Sequence, residues 1–164
     1  KSSLLDLIRM SIESEGVAGR GFVSVNLESK GTGIKTEDQL YDYVRGRLSD
    51  KGRTYVFIDE PQRIDGWQDA VNAMRVDFDC DIYLTGSNAY LLSSELATYL
   101  SGRYVEVKML PLSFSEFTDF CGIEFESGKS VGVALGGEPV LFDEMLTRYL
   151  EYGGMPAIAS LATT

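Results

Sequence analysis

Thr54-Tyr55-Val56-Phe57-Ile58-Asp59-Glu60 sets a run of β-favouring residues directly against two carboxylates. The run carries no polar alternation, which is the pattern of a strand buried on both faces, and strands of that kind belong to parallel sheets covered by helices. In open α/β sheets, ligands bind in the crevice beyond the C-terminal ends of the strands. Asp59 and Glu60 fall at that end. One carboxylate there could hold the water shell of a divalent cation, and the other could orient or deprotonate a water molecule. A strand ending in a solvated acidic turn would give the same sequence, so the neighbouring elements have to decide.

Moving outward, helical and strand patterns alternate on both sides. Downstream, Trp67, Ala70, Val71 and Met74 follow the i, i+3, i+4, i+7 spacing of a helix, and 81–85 (Asp-Ile-Tyr-Leu-Thr) predicts the next strand. Leu92, Leu96 and Leu100 mark a helix over 90–101, followed by a strand at 104–109. Upstream, Val23, Val25 and Leu27 alternate as a strand over 21–27. Thr36 and Gln39 form a capping box for a helix carrying Leu40, Val44 and Leu48 to about Asp50. Leu4, Leu5, Ile8 and Ile12 give 3–14 one apolar helical face. Strands separated by helices in this way predict βαβ units and a parallel sheet with right-handed crossovers, an α/β three-layer domain.

Past the last strand, Ser113 and Glu116 make a second capping box ahead of Phe114, Phe117 and Cys121. The pattern then dissolves at 122–138, read as a loop. Pro139 sits where a first helical residue would, Phe142, Met145, Leu146 and Tyr149 share a helical face, and Gly153-Gly154 stop it. The expected organisation is a core over 1–121, a loop over 122–138 and a small helical, lid-like extension over 139–164.

Composition narrows the chemistry. The 164 residues suffice for one domain with a hydrophobic core, at 44% apolar and 24% charged. No stretch approaches the roughly 20 apolar residues of a membrane span. The N-terminal helix has neither a basic lead nor a cleavage site, so no signal peptide is expected. Two cysteines, Cys80 and Cys121, are too few for a disulfide framework and lack zinc-site spacing. There is no histidine, which excludes His-based catalysis and His metal ligation. A reduced, cytoplasmic protein is expected. The net charge of −10 argues against this chain forming a nucleic-acid surface, because phosphate neutralisation needs a basic face.

Three further motifs flank the acidic pair. Lys1-Ser2-Ser3 leads straight into an amphipathic helix, as the end of a phosphate-binding loop does, with Lys on the β- and γ-phosphates and Ser on Mg²⁺. Alone, it could equally be a chance Lys-Ser. Strand 81–85 ends in Gly86-Ser87-Asn88, polar residues at the same sheet edge as Asp59 or simply a helix N-cap. Arg103 lies between the helix at 90–101 and the strand at 104–109, where it is either an interface residue or an ordinary arginine near a helix C-terminus.

The order Lys-Ser, Asp-Glu, Ser-Asn, Gly-Arg over about 100 residues is more specific than any one of its members. With the segments FIDEPQRIDGW, YLTGSNAYLLSSELATYLSGRY, MLPLSFSEF and YLEYGGMP, the chain resembles a prokaryotic family of AAA+-like P-loop ATPases. In that family the ATPase domain is followed by a C-terminal domain of poorly defined function. The resemblance covers nearly the whole chain. It implies a P-loop NTPase fold, ATP and Mg²⁺ as ligands, Lys1 and Ser2 as phosphate and metal contacts, and Asp59 and Glu60 as the Walker B pair. It further implies Asn88, or else Ser87, as the sensor of the γ-phosphate, and Arg103 as a finger reaching a neighbouring subunit's nucleotide in a homo-oligomer. The chain departs from the family pattern in lacking the first strand and the loop glycines, so both are expected ahead of Lys1 and this stretch alone should bind ATP poorly. The competing expectation is a non-catalytic, ATPase-like interaction or regulatory module, against which the intact Glu60 argues.

Overall fold

The computed structural model describes residues 2–16, 21–50, 52–86 and 102–157, which fall into two compact units, Lys1–Glu106 and Val107–Thr164. Helix α1 (Ser2–Ser14) opens the first unit, followed by strand β1 (Phe22–Asn26), helix α2 (Glu37–Arg45), strand β2 (Thr54–Asp59), helix α3 (Trp67–Asp77) and strand β3 (Cys80–Thr85). The three strands form one parallel sheet in the order β1-β2-β3. This is the α/β architecture that the sequence predicts.

Strand parity gives the sheet two different faces. On one, Val23, Val25, Val56 and Ile58 pack with Leu40 and Val44 of α2 and Trp67, Ala70, Val71 and Met74 of α3. The other carries a ladder of rings: Phe57 lies 4.9 Å from Tyr83, and Phe22 lies 5.5 Å from Tyr55. On that second side the Arg9 guanidinium of α1 sits 5.6 Å over the Phe22 ring, and α1 also touches β3. Cover on both faces is why β2 is apolar without alternation, with Val56 and Ile58 fully buried and Phe57 nearly so.

Two details differ from expectation in this unit. Helix α2 stops at Arg45, short of Asp50, where the Arg47 N–H donates to the Val44 carbonyl three residues back and tightens the chain into a turn. Its capping box is half formed: Thr36 accepts from the Gln39 N–H, while the Gln39 side chain reaches the Lys35 N–H, one residue beyond the cap. The helix expected at 90–101 lies outside the described residues.

Residues 104–109 carry no regular secondary structure and do not form the expected strand, with Val105 91% and Val107 74% exposed. Alternating side chains supply a strand's faces but not its partner, and no described strand pairs with this segment.

The second unit holds α4 (Phe114–Phe120), three short antiparallel strands β4 (Ile123–Glu124), β5 (Val131–Ala134) and β6 (Pro139–Leu141), and α5 (Phe142–Tyr152). The span 122–138 therefore carries two strands of a small sheet with turns between them rather than a plain loop, and it groups with α4 in one unit that begins ahead of position 121. Pro139 opens the edge strand β6, where its missing N–H leaves no ladder bond unmade, so α5 begins three residues later than expected. Phe117 is fully buried against Met145, Cys121 and Ile123, with Phe114 edge-on to Phe142 and Tyr149. The Ser113–Glu116 capping box is complete. Gly154 packs so closely on the Leu112 carbonyl that a Cβ would lie 2.0 Å from its oxygen, which explains the second glycine of the Gly-Gly-Met-Pro segment. Among the described residues, no helix is long and apolar enough to cross a membrane.

Candidate functional site

Parallel pairing sets Asn26, Asp59 and Thr85 side by side as the last residues of β1, β2 and β3. Residues paired this way point to the same face, so three polar side chains form one row at the C-terminal edge of the sheet. Asp59 is the hub. Its Oδ2 accepts hydrogen bonds from Ser2 Oγ at 2.7 Å and Asn26 Nδ2 at 3.1 Å, and its Oδ1 accepts one from the Thr85 hydroxyl. The orientation of the Asn26 amide is fixed from behind, since its Oδ1 accepts the Glu28 N–H at 2.8 Å. Ser2 arrives at the N-terminus of α1, 57 residues from its partner in sequence.

Asp59 is buried, at 7% exposure, and its hydrogen-bond donors among the described residues are all neutral. A carboxylate buried among neutral donors is in an environment that favours a cation.

Glu60 follows in the left-handed region, φ 57° and ψ 50°, the one described non-glycine residue with positive φ. That conformation costs about 1–2 kcal/mol for an L-residue. It is held by the Glu60 N–H donating to the Thr85 carbonyl at 3.0 Å and the Arg63 N–H donating to the Glu60 carbonyl at 3.1 Å. Backbone strain of this kind concentrates at functional sites. Pro61 then begins a single 3-10 turn, Pro61–Arg63, in which the Gln62 amide donates to Glu60 Oε2.

Of the sequence-predicted site residues, Ser2 and Asp59 come into direct contact and Glu60 is anchored beside them through Thr85. Arg103 is exposed, and among the described residues it is not one of the hydrogen-bond partners of Asp59 or Glu60. Lys1, Ser87 and Asn88 lie outside the described residues. Sequence reasoning missed Asn26, Thr85 and Gln62. Asn26 could have been found from parity, because it ends its strand on the same face as Asp59. Thr85 was read only as the lead into a turn. Burial pushes the thiols of Cys80 and Cys121 above their ordinary value, away from the reactive thiolate form.

A parallel α/β sheet whose strand ends present an aspartate-glutamate pair, with a helix-terminal serine bonded to the aspartate, defines a P-loop NTPase-like domain. Residues 1–118 match the family model of an AAA domain, and the chain belongs to that family of nucleotide-binding, ATPase-like domains. It is 39% identical over 160 residues to an uncharacterized protein of Haemophilus influenzae, covering 96% of this chain and 37% of that protein. It is 31% identical over 137 residues to an uncharacterized protein of Methanocaldococcus jannaschii, covering 84% of this chain and 30% of that one. The chain thus spans about a third of the length of these curated relatives. No solved structure matches it.

Proposed function

We propose that this chain is the core of a cytoplasmic, Mg²⁺-dependent ATPase that hydrolyses ATP with Glu60 as the base. The observation that carries this reading is the 2.7 Å hydrogen bond between Ser2 and Asp59. The family resemblance assigns these two residues to one metal ion, and they meet although they lie far apart in sequence.

The donor set suits that ion. A hydroxyl and a carboxylate are hard oxygen ligands, and Mg²⁺ is commonly bound by one or two carboxylates plus substrate phosphates rather than by an all-protein cage. Ser2 and Asp59 would hold Mg²⁺, which when bound neutralises charge developing on the β- and γ-phosphate oxygens. Lys1 would pair with those phosphates. Asn26 and Thr85 fix both oxygens of Asp59, so the carboxylate is preorganised before any ligand arrives. Glu60 orients a water molecule in line with the γ-phosphate and takes its proton. Asn88, or else Ser87, hydrogen-bonds the γ-phosphate or that water. Arg103 serves the nucleotide of a neighbouring subunit in a homo-oligomer, and its exposure is compatible with that role. The net charge of −10 argues against nucleic acid as a ligand of this part of the protein.

The direct test is steady-state phosphate release by the intact protein, with Mg²⁺ and with chelator. Turnover that needs Mg²⁺ supports the proposal. Absence of both ATP binding and hydrolysis favours the non-catalytic module.

A further inference from the structure

Glu60 has a companion that the reaction described above does not use. Its backbone is fixed at both ends: its N–H on the Thr85 carbonyl, its carbonyl on the Arg63 N–H, and Pro61 next in the chain. Its side chain is engaged by Gln62, whose Nε2 donates to Glu60 Oε2. That bond dictates which way the amide faces, because the opposite orientation would set the Gln62 oxygen against a carboxylate. The consequence appears at the other end of the amide. Gln62 Oε1 is buried and has no hydrogen-bond partner among the described residues. Buried acceptors are normally satisfied, and an orphaned one costs stability. The amide therefore commits its donor to the Glu60 carboxylate and leaves its own oxygen unsatisfied.

We propose that Gln62 is a positioning residue for Glu60: its amide occupies Oε2 and leaves Oε1 to receive the proton of the attacking water. The inference rests on the reading of Glu60 as the base and adds the group that aims it. A carboxylate on a flexible side chain samples several rotamers, whereas an effective base must be held within hydrogen-bond reach of one proton. The short turn after β2 achieves this by placing the donor two residues beyond the acceptor.

The test is the Gln62→Met variant of the intact protein, with Mg²⁺-ATP turnover measured beside thermal unfolding. Methionine keeps the length and removes both the donated N–H and the orphaned oxygen. The expected result is a kcat at least about tenfold lower, with KM within about twofold of wild type and a melting temperature equal or higher. A residue with a purely structural role would instead lower the melting temperature together with activity. The proposal is overturned if kcat is unchanged, if kcat rises (the contact then being a restraint on Glu60), or if the loss comes with a raised KM or a lowered melting temperature. A wild-type protein that fails to hydrolyse ATP removes the ATPase reading and this inference together, and the wild-type control alone reveals it.

Discussion

Asp59→Asn separates folding from ligand binding at the hub of the site. The Asp59 side chain is 7% exposed and accepts from Ser2 at 2.7 Å, from Asn26 at 3.1 Å and from Thr85. An asparagine oxygen in place of Oδ2 keeps the first two bonds, and the Thr85 hydroxyl can rotate to accept from the new amide. A hydrogen bond to an ion contributes about 1.5–3 kcal/mol and a neutral one about 0.5–1.5, so downgrading three of them costs about 3 kcal/mol. Opposing this is relief from burying a carboxylate among neutral donors, worth several kcal/mol. The two terms nearly cancel, so the free energy of unfolding should move by less than about 1 kcal/mol. Metal-dependent binding has no such compensation, because asparagine brings no charge. Mg²⁺-ATP affinity should fall at least tenfold, about 1.4 kcal/mol. Urea unfolding of the apo protein, paired with titration calorimetry, reads both quantities. Unchanged Mg²⁺-ATP affinity would refute the metal-site reasoning, and a stability loss above about 3 kcal/mol would mean that the carboxylate is chiefly a structural hub.

Met74→Ala, at a fully buried position beneath the sheet, should destabilise the first unit by about 2–5 kcal/mol in urea unfolding, as cavity-forming substitutions do. Hydrogen bonds from the Ser113 N–H and hydroxyl hold the Glu116 carboxyl below its ordinary value of 4.5. A depressed folded-state value contributes stability that is present above the unfolded value and lost as pH falls through the folded one. Helix α4 should therefore loosen in the acid range, and Ser113→Ala, which removes the hydroxyl but keeps the N–H, should weaken that dependence in amide exchange followed against pH without abolishing it. Mixing an Arg103→Ala variant with a Glu60→Gln variant should restore part of the ATPase activity that each lacks alone. Equal inactivity of the mixture, with assembly confirmed, would remove the trans role of Arg103.

The sheet was legible because β2 carries its own signature: a buried parallel strand has to be apolar on both faces, and Asp59-Glu60 stand out at its end. Helices α1 and α3 followed from spacing alone. Residues 104–109 were misread because alternation reports side chains, whereas a strand also needs a partner's backbone. The short strands β4 to β6 escaped notice because two to four residues are too few to establish a period, and because Gly132 within β5 and Gly128, Gly136 and Gly137 between the strands resembled loop punctuation. At the site, the acidic pair and Ser2 were visible as residue types in order. The roles of Asn26, Thr85 and Gln62 arise from strand register and a tight turn, which single-chain spacing does not express.

Glu60→Gln tests the central claim most directly. The glutamine keeps the size of the side chain and removes its basicity, while Lys1, Ser2 and Asp59 remain in place. Titration calorimetry and single-turnover phosphate release on the intact protein should show Mg²⁺-ATP bound with near-wild-type affinity and turnover abolished. A Glu60→Gln protein that hydrolyses ATP at the wild-type rate would contradict the assignment of Glu60 as the base.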